Sequence, residues 1–320
     1  MKAMVLAAGL GTRMAPLARD CAKPALPVLD VAVIARLVRA LAAAGVERAI
    51  INTHAHPESL HAALRDSPLP IDWLREPVPR GSGGGILGAR NLLGDDPFLV
   101  VNGDMCLELD FAALFARHRE SRALVTLALR DDSRKRDFGS IGYDRDAHVC
   151  RITDRIQLGS EKASGLFIGV QVMSPAIFAR MPQRDMFEII PEVYVPALRA
   201  GAPIGAWIQP GAAAWWPVGT PRELLDANLA ALAHEAAGES PRVAASARVE
   251  GQVVGPAWIG EGARVESGAR VGPVAVVSRG AVIRANARLE RALALPGSEV
   301  AAGESLARAI AHGREVWRDA

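Results

Sequence analysis

Residues 6–29 read LAAGLGTRMAPLARDCAKPALPVL, and the chemistry these residue types offer is the handling of phosphate. Gly9, Gly11 and Thr12 keep bulky side chains away, so main-chain N–H groups can face phosphate oxygens directly. Arg13 adds a fixed cation at the same place, and Lys23 follows in the rigid string Lys-Pro-Ala-Leu-Pro. Lysine is scarce, with only Lys2, Lys23, Lys135 and Lys162 among 37 basic residues. Its use at position 23 therefore stands out. The string is not a P-loop, which needs Gly-Lys-Ser/Thr, nor a dinucleotide turn, whose third glycine is replaced here by Met14.

Two further motifs supply complementary groups. Val101-Asn102-Gly103-Asp104 ends an apolar run with a carboxylate. A hard carboxylate beside phosphates suits Mg2+, which takes one or two protein carboxylates plus phosphate oxygens. Glu76-Pro-Val-Pro-Arg-Gly81 leads into Ser82 and Gly83-Gly84-Gly85. Such a run lets the backbone approach a flat ring while a glutamate or a main-chain group reads its edge.

The elements that must carry these groups alternate in type. Strand-like runs over 2–8, 49–53, 71–75, 98–102 and 124–129 alternate with helical patterns such as 33–44 and 111–120. That order predicts an α/β domain with a Rossmann-like, mostly parallel sheet sandwiched by helices. Ligands in such sheets sit beyond the carboxyl ends of the strands, where the first strand delivers the Gly9 loop.

A different period begins at Val253. Val253, Ile259, Val265, Val271, Val277, Ile283, Leu289 and Leu295 recur every six residues, with Ala263, Ala269, Ala275, Ala281 and Ala287 at a second fixed place. One aliphatic and one small residue per six is the hexapeptide repeat of a parallel β-helix. The expected organisation is a first domain over 1–238, a β-helix over 239–303, and a tail or capping helix over 304–320.

Composition narrows the function classes. The chain has 320 residues, half of them hydrophobic, and a formal charge of +2. This is enough for a full core and two domains, without a basic patch for nucleic acid. Cys21, Cys106 and Cys150 are odd in number and lack a Cys-x-x-Cys pair, which points to a reducing cytoplasm. The apolar stretch 31–46 is interrupted by Arg36 and Arg39, so neither a signal peptide nor a membrane span is expected.

The opening string resembles the N-terminal signature of the sugar-1-phosphate nucleotidylyltransferases, which join a nucleoside triphosphate to a sugar 1-phosphate and release pyrophosphate. The resemblance implies that Leu6, Ala8, Gly9, Gly11, Thr12 and Arg13 wrap the triphosphate, that Arg13 assists pyrophosphate departure, and that Lys23 contacts phosphates at the reacting centre. It makes Asp104 the Mg2+ aspartate and assigns the base to Glu76, Gly81 and Ser82. Within the family, Gly83-Gly84-Gly85-Ile86 with Asn102-Gly103-Asp104 is most similar to uridylyl- and guanylyltransferases acting on N-acetylmuramic acid, mannose or heptose 1-phosphates. GTP and UTP both remain open.

For the sugar, Phe138-Gly139 and Gly169 match family positions lining the pocket. The residue holding the sugar phosphate is Lys162 of Glu161-Lys162 or Arg155 of Asp154-Arg155, between which spacing does not choose. The C-terminal repeats resemble left-handed β-helix domains, which commonly follow such catalytic domains; here they imply a scaffold for a homo-oligomer. Acyl transfer in the coil would want a histidine base, and residues 241–303 contain none.

One departure bears on turnover. Trp215-Trp216-Pro217-Val218-Gly219-Thr220-Pro221 is similar to the family's Trp-x-Asp-x-Gly-Thr-Pro segment, but Pro217 replaces the second metal aspartate. Asp226, Glu188 or Glu192 could substitute only if the fold brings one to Asp104. The alternative is a catalytically weak sensor that binds a nucleotide sugar.

Overall fold

The structure is a computed structural model describing residues 1–211, 213–235 and 240–319; for Asp137 and Phe138 it describes only the backbone. Contacts divide the chain into two compact units. The first comprises 1–10, 34–103 and 107–215, and the second 11–33, 104–106 and 216–320.

The first unit is built on a ten-stranded sheet. Strand Lys2–Leu6 pairs in parallel with Arg48–Thr53 on one side and Phe98–Asn102 on the other, and Ile71–Arg75 extends this parallel region. The near-continuous apolar sequences of the first three fit strands covered on both faces, whereas Ile71–Arg75, at the sheet's edge, is only partly buried. The helices Val33–Ala43 and Phe111–Ser121 fall within a residue of their expected spans.

The sheet is more mixed than expected. Ala163–Met173 runs antiparallel to both Phe98–Asn102 and Val125–Arg130, and an antiparallel extension is formed by Ile141–Tyr143 and Val149–Ile152. These strands are short or carry polar residues, so their sequence periodicity is weak. Gly169, at φ +74°, lies where the pairing of Ala163–Met173 with Val125–Arg130 skips register between Phe167 and Gln171. This is a bulge in which glycine accepts the left-handed backbone.

The second unit contains the parallel β-helix required by the six-residue period. Three sheets stack coil upon coil, with pairs such as Val277 under Ile259, Ile283 under Val265 and Leu289 under Val271. Ala263, Ala269, Ala275, Ala281 and Ala287 are all buried in the same core. Leu295 breaks the series. Val277 pairs with Ala294 rather than Leu295 because this coil is one residue short, so Leu295 instead joins the core formed with helix Pro221–Glu235.

The described residues of the expected tail, 304–319, form neither a capping helix nor a loose tail. Ser305–Ala307 and Ala309–His312 complete the last coil, and Glu315–Arg318 turns back antiparallel on Ala309–His312. Polar spacing hid the continuing repeat once a residue had been lost. The expected division at 238/239 falls outside the described residues, but the contact grouping itself departs from it by placing 11–33 and 216–235 with the coil.

That placement has a visible cause. The hairpin Pro27–Val28 and Val31–Ala32 turns through Leu29 and Asp30, both at positive φ (49° and 63°). Two successive non-glycine residues in this region are strained and persist only where surroundings hold them. Leu29 is buried, and its N–H donates to Asn228 Oδ1 at 3.0 Å. Asp30 accepts from Trp258 Nε1 and from the Arg279 N–H, each at 2.8 Å. Trp258 and Arg279 belong to the coil region, so the segment after Lys23 is fastened to the β-helix.

Candidate active site

In the second unit, Gly11 precedes a short 3-10 turn over Thr12–Met14, and its φ of +66° is a conformation that favours glycine. A Cβ built on Gly11 would lie 3.7 Å from Cβ of Lys23, so the turn and the lysine are neighbours. Thr12 and Arg13 are exposed, while Met14 is buried beneath them. Lys23 starts a second 3-10 turn, and its Nζ donates to Asp104 Oδ2 in a tight ion pair. The Asp104 carbonyl accepts from Val218 N–H at 2.8 Å, which brings the segment of Pro217 alongside Asp104.

Around Gly219 this unit also gathers Arg13 and Glu223. A Cβ on Gly219 would stand 3.6 Å from Arg13 Nη2 and 2.8 Å from Glu223 Oε2. Glu223 accepts from Gly219 N–H, and Thr220 caps the helix by accepting from Glu223 N–H. This reciprocal cap fixes the turn where Arg13 passes. The Thr-Pro-Arg-Glu spacing could have revealed Glu223 in the sequence. Asp226 is engaged with Arg308 at 3.3 Å.

In the first unit, the glycine run has an unexpected task. Gly81–Gly88 is a helix containing five glycines, a composition that disfavours helix by up to about 1 kcal/mol per glycine. A Cβ on Gly83 would lie 2.2 Å from the Phe187 ring, on Gly84 2.0 Å from the Asp185 carbonyl oxygen, and on Gly85 2.7 Å from Asn52 Nδ2. The faces of these three glycines are therefore filled by the protein's own chain, not left open for a ring. The small size of Gly83 and Gly84 admits segment 185–188 against the helix.

Glu76 is buried, and both its oxygens are bonded: Oε1 to Asn52 Nδ2 at 2.8 Å and Oε2 to the Arg80 N–H at 2.9 Å. Its carboxylate shapes the loop from 76 to Gly81. Asn52 Oδ1 also accepts from Ala7 N–H at 2.7 Å, linking that loop to the strand end at Leu6 and Ala8. A Cβ on Gly9 would meet nothing within 4 Å.

A cavity of about 460 Å3 opens in this unit, within the size range of small-molecule sites. Leu6, Ser82, Asn102, Gly139, Thr153, Arg155, Phe167, Gln171 and Glu188 line it. The structure separates the two candidates for the sugar phosphate: Arg155 faces this cavity, whereas Lys162 is exposed and not part of the lining. Gly169 lies between two lining residues without joining them, and the side chain of Phe138 is outside the described residues. Glu188 and Glu192 are tied to Ser82 and Arg184, respectively.

Elsewhere in this unit, Asp144, Asp146 and His148 could jointly approach an ion. Asp144 Oδ1 already accepts the N–H groups of Asp146 and His148, which explains the cluster as a turn.

Residues 2–234 match the family model described as nucleotidyl transferase. The chain belongs to the nucleotidyl transferase family. This nucleotidyltransferase is 31% identical over 304 residues to a Mycobacterium tuberculosis protein named mannose-1-phosphate guanylyltransferase, with 94% of this chain and 81% of that one covered. It is 22% identical to the UTP–glucose-1-phosphate uridylyltransferase of Synechocystis, covering 94% and 86%. Among solved structures it is similar to HddC from Yersinia pseudotuberculosis, with a TM-score of 0.59, 24% identity, and coverage of 71% and 97%. These likenesses agree with the Rossmann-like sheet and make the protein an enzyme of nucleotidyl transfer. Among the described residues, no helix is long and apolar enough to cross a membrane, and none of the three cysteines forms a disulfide.

Proposed function

We propose that this nucleotidyltransferase makes GDP-mannose or a closely related GDP-hexose from GTP and the hexose 1-phosphate. The observation that carries the reading is the Lys23–Asp104 pair beside the Gly11 turn, because it joins the phosphate cation and the metal carboxylate in one place. The 31% identical relative favours guanosine and mannose over the other bases and sugars.

In this reading a sugar phosphate oxygen attacks the α-phosphorus of GTP, one P–O bond forms, the α–β bridging P–O bond breaks, and pyrophosphate leaves. Arg13 neutralises charge on the departing pyrophosphate, and Lys23 on the reacting phosphates. Such reactions depend mainly on positioning and electrostatic stabilisation. Asp104 would hold Mg2+, which supplies charge neutralisation when bound; a single carboxylate completed by phosphate oxygens is a donor set this ion accepts. Arg155 holds the sugar phosphate in the first unit's cavity, and Gly81 and Ser82, in the loop shaped by Glu76, receive the base. Pyrophosphate release from GTP with mannose 1-phosphate tests the reading; its absence with every triphosphate and hexose 1-phosphate tried would end it.

Pro217 favours a second reading, a sensor that binds nucleotide sugar with little turnover. Rapid turnover that Asp104→Ala abolishes would count against it. We also propose self-association through the coil. Val243 and Val249 of its first coil are 48% and 38% exposed although their stacked partners Ile259 and Val265 are buried. A monomeric mass by analytical ultracentrifugation contradicts this proposal.

A further inference from the structure

We propose that Glu188 reads the hydroxyls of the sugar and excludes sugars bearing a carboxylate, an assignment that rests on the sugar 1-phosphate function above. The cavity has two charged lining residues, Arg155 and Glu188. A phosphate dianion pairs with the guanidinium. The carboxylate then needs hydrogen-bond donors, and the hydroxyls of a hexose supply them.

Glu188 is held for this task. Its Oε2 accepts from both the hydroxyl and the N–H of Ser82, and the Ser82 hydroxyl in turn accepts from the Ile189 N–H at 3.0 Å. The main-chain N–H of Glu188 donates to Glu192 Oε1 at 2.9 Å. Oε1 of Glu188 has no donor among the described residues and lies 2.9 Å from where a Cβ on Gly81 would stand. Gly81, with φ +69°, leaves that oxygen its space.

The glycine run thus has a consequence for specificity. By admitting Asp185 and Phe187 against the helix, Gly83 and Gly84 bring Glu188 onto Ser82 and so into the cavity wall. One carboxylate oxygen is immobilised by the protein, and the other is left to accept from a ligand. A neutral hexose 1-phosphate satisfies both charged residues, whereas a uronic or muramic acid 1-phosphate sets a second carboxylate against Glu188. Unpaired like charges in a partly closed site are strongly disfavoured.

Calorimetric titration of the full chain with mannose 1-phosphate and glucuronic acid 1-phosphate tests the assignment. Wild type is expected to prefer mannose 1-phosphate by more than tenfold. Glu188→Gln should weaken mannose 1-phosphate about tenfold, the loss typical of a hydrogen bond to a charged group, and should shrink the preference. Glu188→Asp keeps the charge and should keep the exclusion of glucuronate, a distinction that loss of packing would not produce. Thermal unfolding establishes that each variant is folded. If wild type binds mannose 1-phosphate but Glu188→Gln leaves affinity and preference unchanged, Glu188 is not the reader, while the function survives. If wild type binds neither sugar phosphate, the function and the assignment fall together.

Discussion

Lys23 and Asp104 stand 81 residues apart in the chain and form a direct ion pair in the second unit. The contact places the ammonium on the carboxylate that would carry the metal, so the two groups share charge until phosphates arrive. Lys23→Ala and Asp104→Ala should each lower the rate of pyrophosphate release by 100-fold or more, as removal of a charge-stabilising group commonly does. Melting temperatures should change little, since Asp104 is partly exposed and such pairs contribute modestly to stability. Coupled-enzyme kinetics and thermal unfolding check both halves.

Arg155 lines the cavity and Lys162 does not. Arg155→Ala is therefore expected to raise KM for mannose 1-phosphate by tenfold or more with KM for GTP unchanged, and Lys162→Ala to alter neither appreciably. A reversed pattern in steady-state kinetics would return the phosphate to Lys162.

Pro217→Asp places a carboxylate next to Val218, whose N–H is bonded to Asp104. If the position retains its role as a second ligand, the variant should reach half-maximal rate at several-fold lower Mg2+ concentration. An unchanged Mg2+ titration curve would show that this enzyme works with Asp104 as its one aspartate.

His118 is buried between Thr126 and Ser174, at 2.9 and 3.0 Å from its two ring nitrogens. Loss of hydration holds its pKa down, at about 4 against an ordinary 6.5. Between these values the unfolded chain binds a proton that the folded chain does not, so stability is full above pH 6.5 and falls as pH drops towards 4. The loss from this residue reaches up to about 3 kcal/mol. Urea midpoints at pH 7 and pH 5 should therefore fall further apart in wild type than in His118→Gln.

Asp30 holds two donors of the coil region from a strained turn. Asp30→Ala leaves the Trp258 indole N–H and the Arg279 amide without that acceptor, at a cost of about 2 kcal/mol. Lower turnover is also expected, because the same segment carries Arg13 and Lys23. Denaturant unfolding followed by tryptophan fluorescence measures the first effect.

Much of this protein is legible along the chain. The strand 71–75 and the helix beginning at Phe111 follow from apolar patterning, and the coil follows from a six-residue period, because these signals lie among near neighbours. The phosphate signature was legible for the same reason: its glycines and cations are close in sequence.

Tertiary packing decided the rest. It turned Gly83 and Gly84 from an open cradle into a seat for residues 185–188 and set Gly85 against Asn52, chose Arg155 over Lys162 as a lining residue, and sent Leu295 out of the coil's inner stack. It also fastened the Lys23 segment to the coil through Asp30. Each outcome depends on which distant atoms fill a given space, and the spacing of nearby residues carries no record of that.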